Sequence, residues 1–361
     1  DASASAFFSG DCMKTSIIPV FIPHLGCPYR CIFCNQQKIT GHKDVPTGQE
    51  VARRIEKYTR GKARHWEVAF YGGSFTAVAE ALQEELLRPA YEALKAGKIA
   101  AVRCSTRPDC ITPDKLARLK KYGVTVVELG VQSMDDAVLR KAKRGHTATD
   151  VERAVMLLRE QNFAVGLQLM PGLPEEDRAS LMATTERICA LKPDFTRIYP
   201  VVVIDNTELA DLYKEGSYRP LTVDEGVRRA AFMKERFLRN GIACIRTGLQ
   251  ATEELDRAVN ILGGAYAPAM GEMVDSLRYG RQIRHLLEEL NPDGTVTVAY
   301  NRKDTSRTRG YKNENMKIGP ALRIGIKWME DNSLATGVLR IETGRGTWRL
   351  HTDKGTQLRV L

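Results

Sequence analysis

His24-Leu25-Gly26-Cys27-Pro28-Tyr29-Arg30-Cys31-Ile32-Phe33-Cys34-Asn35 follows directly on a strand-like apolar run at 17–22. Cys27, Cys31 and Cys34 form a C-x3-C-x2-C array. Thiolates this close reach three corners of one iron–sulfur cube, whereas an ordinary ferredoxin cluster takes a cysteine at each iron. The fourth iron is then open to a small molecule. Zinc is the competing reading, with the triplet completed by His24 or His42, and three plain buried thiols are another. Structural zinc sites show two paired C-x2-C units, or one pair with a spaced histidine pair. Cys104, Cys110, Cys189 and Cys244 are isolated and supply no second pair; most free cysteines are small core hydrophobes. The spacing favours the cluster.

Outward from this loop, residues 14–250 alternate short β-rich runs with amphipathic stretches, which predicts a parallel sheet with crossover helices. Strands are expected at 17–22, 68–71, 100–104, 124–129, 164–169 and 195–203. Helices are expected at 47–58, 78–94, 113–121, 150–161 and 176–191, the first with Thr47 as N-cap and Glu50 at the capping-box position. Six such units predict an α/β fold, a partial (β/α)6 TIM-like barrel. Functional groups in such barrels sit at the C-terminal ends of strands. The cysteine loop, Gly72-Gly73-Ser74, Ser105-Thr106-Arg107-Pro108-Asp109, Gly130-Val131-Gln132-Ser133 and Pro171-Gly172-Leu173-Pro174 all fall there. Beyond 203 the rhythm changes: a helix at 222–240 capped by Gly241, a short strand at 242–246, a loop at 263–268 and a helix at 271–290. Residues 295–361 read as a small α+β appendage, with strands at 295–300, 338–341, 348–350 and 357–360 and a helix-like segment near 322–329. The expected division is a leader or appended segment at 1–13, a core barrel at 14–250 and an accessory domain at 251–361.

The three-cysteine loop after a first strand is the signature of the radical S-adenosylmethionine (SAM) enzymes, and the chain resembles that family. The resemblance implies a radical SAM barrel with one [4Fe–4S] cluster on Cys27, Cys31 and Cys34, which are thus both metal ligands and catalytic residues. It implies SAM chelated at the open iron and cleaved, on one-electron reduction, to a 5′-deoxyadenosyl radical. It places Phe33 beside the adenine, and the backbone of Gly72 and Gly73 close to the SAM amino group, where missing side chains permit approach. Ser74 replaces the acidic residue often found in this turn, so only the backbone role carries over. The series Leu129-Gly130-Val131-Gln132-Ser133 and Arg144-Gly145-His146-Thr147 resembles two relatives. These are the oxygen-independent coproporphyrinogen oxidases and the radical SAM half of the Elongator catalytic subunit. In the oxidases the residues matching Gln132 and Arg144 contact SAM, and a guanidinium suits the SAM carboxylate through paired charge-assisted bonds. His146 reads as structural. Gln168 stands where these oxidases carry an aspartate that helps to bind SAM, which implies a ribose contact. Arg197-Ile198-Tyr199-Pro200 resembles the corresponding Elongator strand. That resemblance, over about residues 14–250, is the closer one and implies tRNA modification. The chain is too short for the acetyltransferase half, so acetyl-CoA chemistry is not carried over. The alternatives are a tetrapyrrole or other small-molecule oxidation, and a non-catalytic metal-containing RNA-binding protein.

Two further readings do not depend on the family. Arg107, Arg197 and Arg246 follow or end strands, and at the barrel mouth they would form a positive pocket, with Tyr199, for a carboxylate or phosphate substrate. Period two puts Arg197 and Tyr199 on one face. Between 301 and 330 stand eight cations and three anions, with Tyr311 and Trp328 nearby, a composition suited to a phosphate backbone. The whole chain carries a net +10 with pI near 9.2, which favours an acidic partner. Expected partners are tRNA and a one-electron donor such as flavodoxin or ferredoxin. An apolar content of 43% and a charged content of 27% are those of a globular protein. No apolar run approaches the roughly 18 residues of a membrane span. Residues 1–12, ahead of Met13, lack the features of a signal peptide, so a reducing cytoplasmic setting is expected.

Overall fold

The computed structural model describes residues 15–22, 25–35, 38, 44–61, 65–249, 260–354 and 356–360. The segment 1–13, His24, His42 and the expected core limits at 14 and 250 lie outside these residues.

Seven parallel strands form the main sheet, in the order β1 (Ser16–Ile22), β2 (Trp66–Gly72), β3 (Ala101–Thr106), β4 (Val124–Gln132), β5 (Ala164–Leu169), β6 (Phe195–Ile198) and β8 (Ala243–Thr247). Crossover helices cover its outer face, so those positions are apolar. Val68, Phe70, Val102, Val127 and Val165 are fully buried with Leu86, Leu116 and Val151 of the helices in one core. The helix Gly48–Thr59 begins at the predicted box: Glu50 N–H donates to the Thr47 hydroxyl, and Thr47 N–H donates to the Glu50 carboxylate at 2.7 Å. The short strand expected at 242–246 becomes β8, a seventh rung paired with β6.

Three expectations are corrected. The strand at 195–203 is two strands: β6 ends at Ile198, and β7 (Val202–Ile204) leaves the barrel to pair antiparallel with β9 (Ile261–Gly264). Pro200 lies between them and has no N–H to give to a ladder. The loop at 263–268 therefore begins inside β9. The helix-like segment at 322–329 is mostly the strand β11 (Gly325–Glu330), preceded by a five-residue helix, Ile318–Leu322. Arg323 at φ 58° stops that helix, and from there Ile324, Ile326 and Trp328 alternate inward, a period of two rather than 3.6.

Two of the short helices that escaped the sequence reading are Asp136–Lys141 and Glu208–Lys214. They clasp the cysteine loop: Ile32 N–H donates to Ala142 O at 3.3 Å, and Leu209 N–H donates to Ile32 O at 2.8 Å.

The appendage is a five-stranded sheet in the order β11, β10 (Thr295–Tyr300), β12 (Val338–Thr343), β13 (Gly346–His351) and β14 (Thr356–Val360). The helix Met270–Leu290 serves both parts. Its Met270 and Val274 enter the barrel core, while Tyr279, Ile283 and Leu286 fill the core under the small sheet. Lys234–Asp275 (2.7 Å) and Glu235–Arg278 (2.9 Å) join it to the helix Val223–Arg239. No described helix is long and apolar enough to cross a membrane.

Candidate active site

A cavity of about 1360 Å³ opens at the C-terminal ends of the barrel strands. Its lining gathers every site residue expected from the sequence. Cys27, Cys31, Phe33 and Cys34 come from the loop after β1; Gly72 and Gly73 close β2; Arg107 follows β3; Gln132 ends β4. Arg144, Gln168, Arg197, Tyr199 and Arg246 complete the wall. The three cysteines are half-buried. Cys104, Cys110 and Cys189 are buried in the fold, and Cys244 is half-buried. Among the described residues no three Cys, His, Asp or Glu side chains are grouped closely enough to hold one metal ion, whereas a cube needs each thiolate on a separate iron.

The glycines after β2 bring the cysteine loop into place. Gly73 N–H donates to Ile22 O at 2.8 Å, and Ser74 N–H donates to Leu25 O at 2.9 Å. A Cβ on Gly73 would collide with the Leu25 backbone, and one on Gly72, at φ +113°, would stand 2.6 Å from Ile22 O. Ser74 is fully buried in a relay of hydroxyls. Thr76 donates to Cys110 O at 2.7 Å, so Thr106 must donate to Thr76 (2.6 Å) and Ser74 to Thr106 (2.9 Å). An acidic residue at 74 would bury a charge here, which accounts locally for the serine.

At the end of β4 the pairing with β5 slips between Gly130 and Gln132, a bulge that re-aims Gln132. Gln132 sits at φ 70°, a left-handed conformation that costs a non-glycine residue roughly 1–2 kcal/mol. His146 supports the bulge: its Nε2 lies 3.2 Å from Val131 O, which can only accept, so Nε2 carries the proton. Burial first, then Arg144 and Arg107, lower the His146 pKa to about 3, so the ring is neutral. Arg144 donates from Nη2 to Gly130 O (2.5 Å) and from Nη1 to Cys31 Sγ (3.0 Å). Three buried polar atoms on this wall have no partner among the described residues: Gln132 Oε1, Arg144 Nε and Ser105 Oγ. Buried polar groups are normally satisfied, so two donors and an acceptor beside the thiols suit a ligand bearing carboxylate, amine and hydroxyls, as SAM does. Phe33 is 8% exposed, packed with Ile32, Val138 and Leu173 while still lining the cavity.

Deeper in the barrel lies a charge lattice that the sequence reading missed. Glu128, fully buried, accepts from Arg103 Nη1 (3.3 Å), Arg197 Nη2 (3.1 Å), Tyr71 OH (3.1 Å) and Gln168 Nε2 (3.3 Å). Arg103 also pairs with Glu67. Burial alone would raise the Glu128 pKa, but Arg197 and Arg103 outweigh it and hold the carboxyl below its usual range. Burial raises the Tyr71 and Tyr199 hydroxyls. The visible signal was a charged or amide side chain inside each of the apolar strands β2 to β6: Glu67, Arg103, Glu128, Gln168 and Arg197.

This lattice separates the three arginines expected at the pocket. Arg197 is held by Glu128 and donates to Tyr199 OH at 3.4 Å, so the two do share the cavity face. Arg107 is bidentate to Asp109 at 3.0 and 3.1 Å and stacks on Tyr29 at 5.0 Å. Arg246 neighbours Arg197 across the β6–β8 pairing; its carbonyl accepts from Cys244 Sγ at 3.5 Å, and its guanidinium makes no hydrogen bond or ion pair among the described residues.

A model of the radical SAM superfamily matches residues 21–188, and a model of a radical SAM C-terminal domain matches residues 193–278. The tRNA uridine(34) acetyltransferase of Methanocaldococcus jannaschii is 30% identical over 261 residues, 61% of this chain and 48% of that protein. Elongator complex protein 3 of Bos taurus is 32% identical over 233 residues, 52% of this chain and 42% of that protein. The chain thus spans about half the length of these curated relatives. Among solved structures, Methanocaldococcus infernus Elp3 with an N-terminal deletion superposes with a TM-score of 0.57 at 23% identity. That match covers 78% of this chain and 64% of the other, and it is a likeness of fold. The two family models together take in well over half of the chain, which belongs to the radical SAM superfamily of enzymes.

Proposed function

We propose that this protein is a tRNA-modifying radical SAM enzyme, with a [4Fe–4S] cluster on Cys27, Cys31 and Cys34 and SAM against Gly72, Gly73, Gln132 and Arg144. The observation that carries the reading is the convergence of three cysteines and three unsatisfied polar atoms on one cavity. When bound, the cluster and SAM supply a 5′-deoxyadenosyl radical, given one electron from a carrier such as flavodoxin or ferredoxin. The chain's own residues do the rest. Arg144 Nε donates to the SAM carboxylate, Gln132 Oε1 accepts from a SAM donor, and Gln168 approaches the ribose. Phe33 shields the adenine. Arg107 and Arg197 have their own carboxylates, which leaves Arg246 for the anionic part of the substrate.

The names of the relatives support tRNA as that substrate, and so does the appendage. Of the eight cations between 301 and 330, Arg307 pairs with Asp275 and Asp304, Arg309 donates to Tyr300 OH, and Lys317 pairs with Glu314. Arg302, Lys303, Lys312, Arg323 and Lys327 are exposed and have no ion-pair partner among the described residues. Trp328 packs against the small core, so base stacking falls to other rings. The acetyl transfer named for the longer relatives is said of those proteins alone.

Anaerobically reconstituted protein should release 5′-deoxyadenosine from SAM when reduced. Nucleosides from a tRNA pool, compared by mass spectrometry with and without the protein, should differ. Its tRNA affinity should fall steeply with salt, and the charge reversals Lys303→Glu and Arg323→Glu should flatten that dependence by about one unit of slope for each lost phosphate contact. No tRNA binding at low salt would remove tRNA from the proposal while leaving SAM cleavage to be judged separately.

A further inference from the structure

Arg107 occupies an unusual position for a group meant to bind substrate. It is 3% exposed and immobilised on three sides. Nε and Nη2 grip the two oxygens of Asp109, Nη2 also donates to Arg144 O, and the plane of the group lies over the Tyr29 ring. The remaining arm, Nη1, points to Cys31 Sγ at 4.0 Å. Arg144 Nη1 stands 3.0 Å from the same sulfur. Cys31 is therefore approached by two guanidinium groups, one fixed by the other through the Arg144 carbonyl. In the loaded enzyme that sulfur is a cluster thiolate, carrying part of the charge of the cube.

We infer that Arg107, acting with Arg144 on the Cys31 thiolate, sets how easily the cluster accepts its electron. This rests on the cluster assignment made above and gives Arg107 a role other than substrate binding. Cluster potentials respond to net charge and to hydrogen bonds on the sulfurs. Reduction adds one negative charge to the cube, and a fixed cation or N–H donor at a thiolate stabilises the reduced form more than the oxidised one. The guanidinium fork suits the task because it is planar, permanently charged and held in one orientation. Asp109, 19% exposed, orients the group without standing between it and the sulfur. Arg107 is a positioning residue in this account; it does not touch SAM or substrate.

The test is an EPR-monitored redox titration of reconstituted protein without SAM, with iron counted for each sample. Wild type, Arg107→Gln and Arg107→Lys are compared. Arg107→Gln should keep its iron and become about tenfold harder to reduce, a fall of about 59 mV for one electron. Arg107→Lys keeps the charge and should recover part of that fall. A purely structural arginine would change iron content or stability and leave the potential of loaded protein unmoved. If Arg107→Gln does not load, Arg107→Lys decides alone: a potential below wild type supports the inference. A wild-type potential in loaded Arg107→Gln, or in Arg107→Lys where Arg107→Gln does not load, overturns it. Failure of the wild type to take up iron would instead overturn the cluster assignment, and this inference with it.

Discussion

Two residues carry more than their sequence context shows. Gly73 reads as a turn glycine, yet its missing Cβ is what lets the Leu25 backbone lie against it. Gly73→Ala should destabilise the apoprotein by about 1–3 kcal/mol, the range for overpacking, and reduce iron uptake. Gly344→Ala, with open space around it, is the control in the same denaturation series. His146 was legible only as structural, and the structure shows what it supports, the carbonyl behind the Gln132 bulge. Its folded pKa of about 3 lies below the ordinary value near 6.5. Between these values the unfolded chain binds a proton that the folded chain does not. The contribution of His146 is thus complete above pH 6.5 and lost as pH falls toward 3, at up to about 1.4 kcal/mol per pH unit. Urea unfolding midpoints measured across that window should lose this component in His146→Gln; an unchanged profile would contradict a buried neutral ring.

At the scale of elements, periodicity made most of the barrel legible. Apolar runs marked the strands, and capping residues such as Thr47 marked helix starts. The failures have local causes: Pro200 ends a ladder inside a continuous apolar run, and Arg323 turns a helical segment into an alternating strand. The short helices at 136–141 and 208–214 bury too few residues to show a period. The charge lattice was hidden for a different reason. Each of its members looks like an isolated exception within its own strand, and only pairing between strands brings Glu128 to Arg103 and Arg197. Glu128→Gln removes the carboxylate from two buried guanidinium groups. It should cost about 3–5 kcal/mol, the cost of breaking a buried pair on one side, read by denaturant unfolding of the apoprotein. A cost below about 1 kcal/mol, the usual worth of an exposed pair, would mean that water reaches the lattice.

For the whole molecule, the barrel and the small sheet are joined by one helix that belongs to both cores. This helix ties the small sheet, with its basic surface from Arg302 to Lys327, to the barrel. The cysteine spacing pointed to the radical SAM family, because that array requires only three thiolates in one loop. The substrate was not legible, because the arginines that look alike in sequence differ in whether a carboxylate already holds them. The central claim is that three sulfurs hold a four-iron cube and leave one iron open. The direct measurement is the EPR spectrum of the anaerobically reconstituted, reduced protein, recorded with and without SAM alongside an iron count. About four irons per chain and a signal that shifts when SAM is added are the predicted result. A spectrum indifferent to SAM, or a colourless protein carrying zinc, would contradict it.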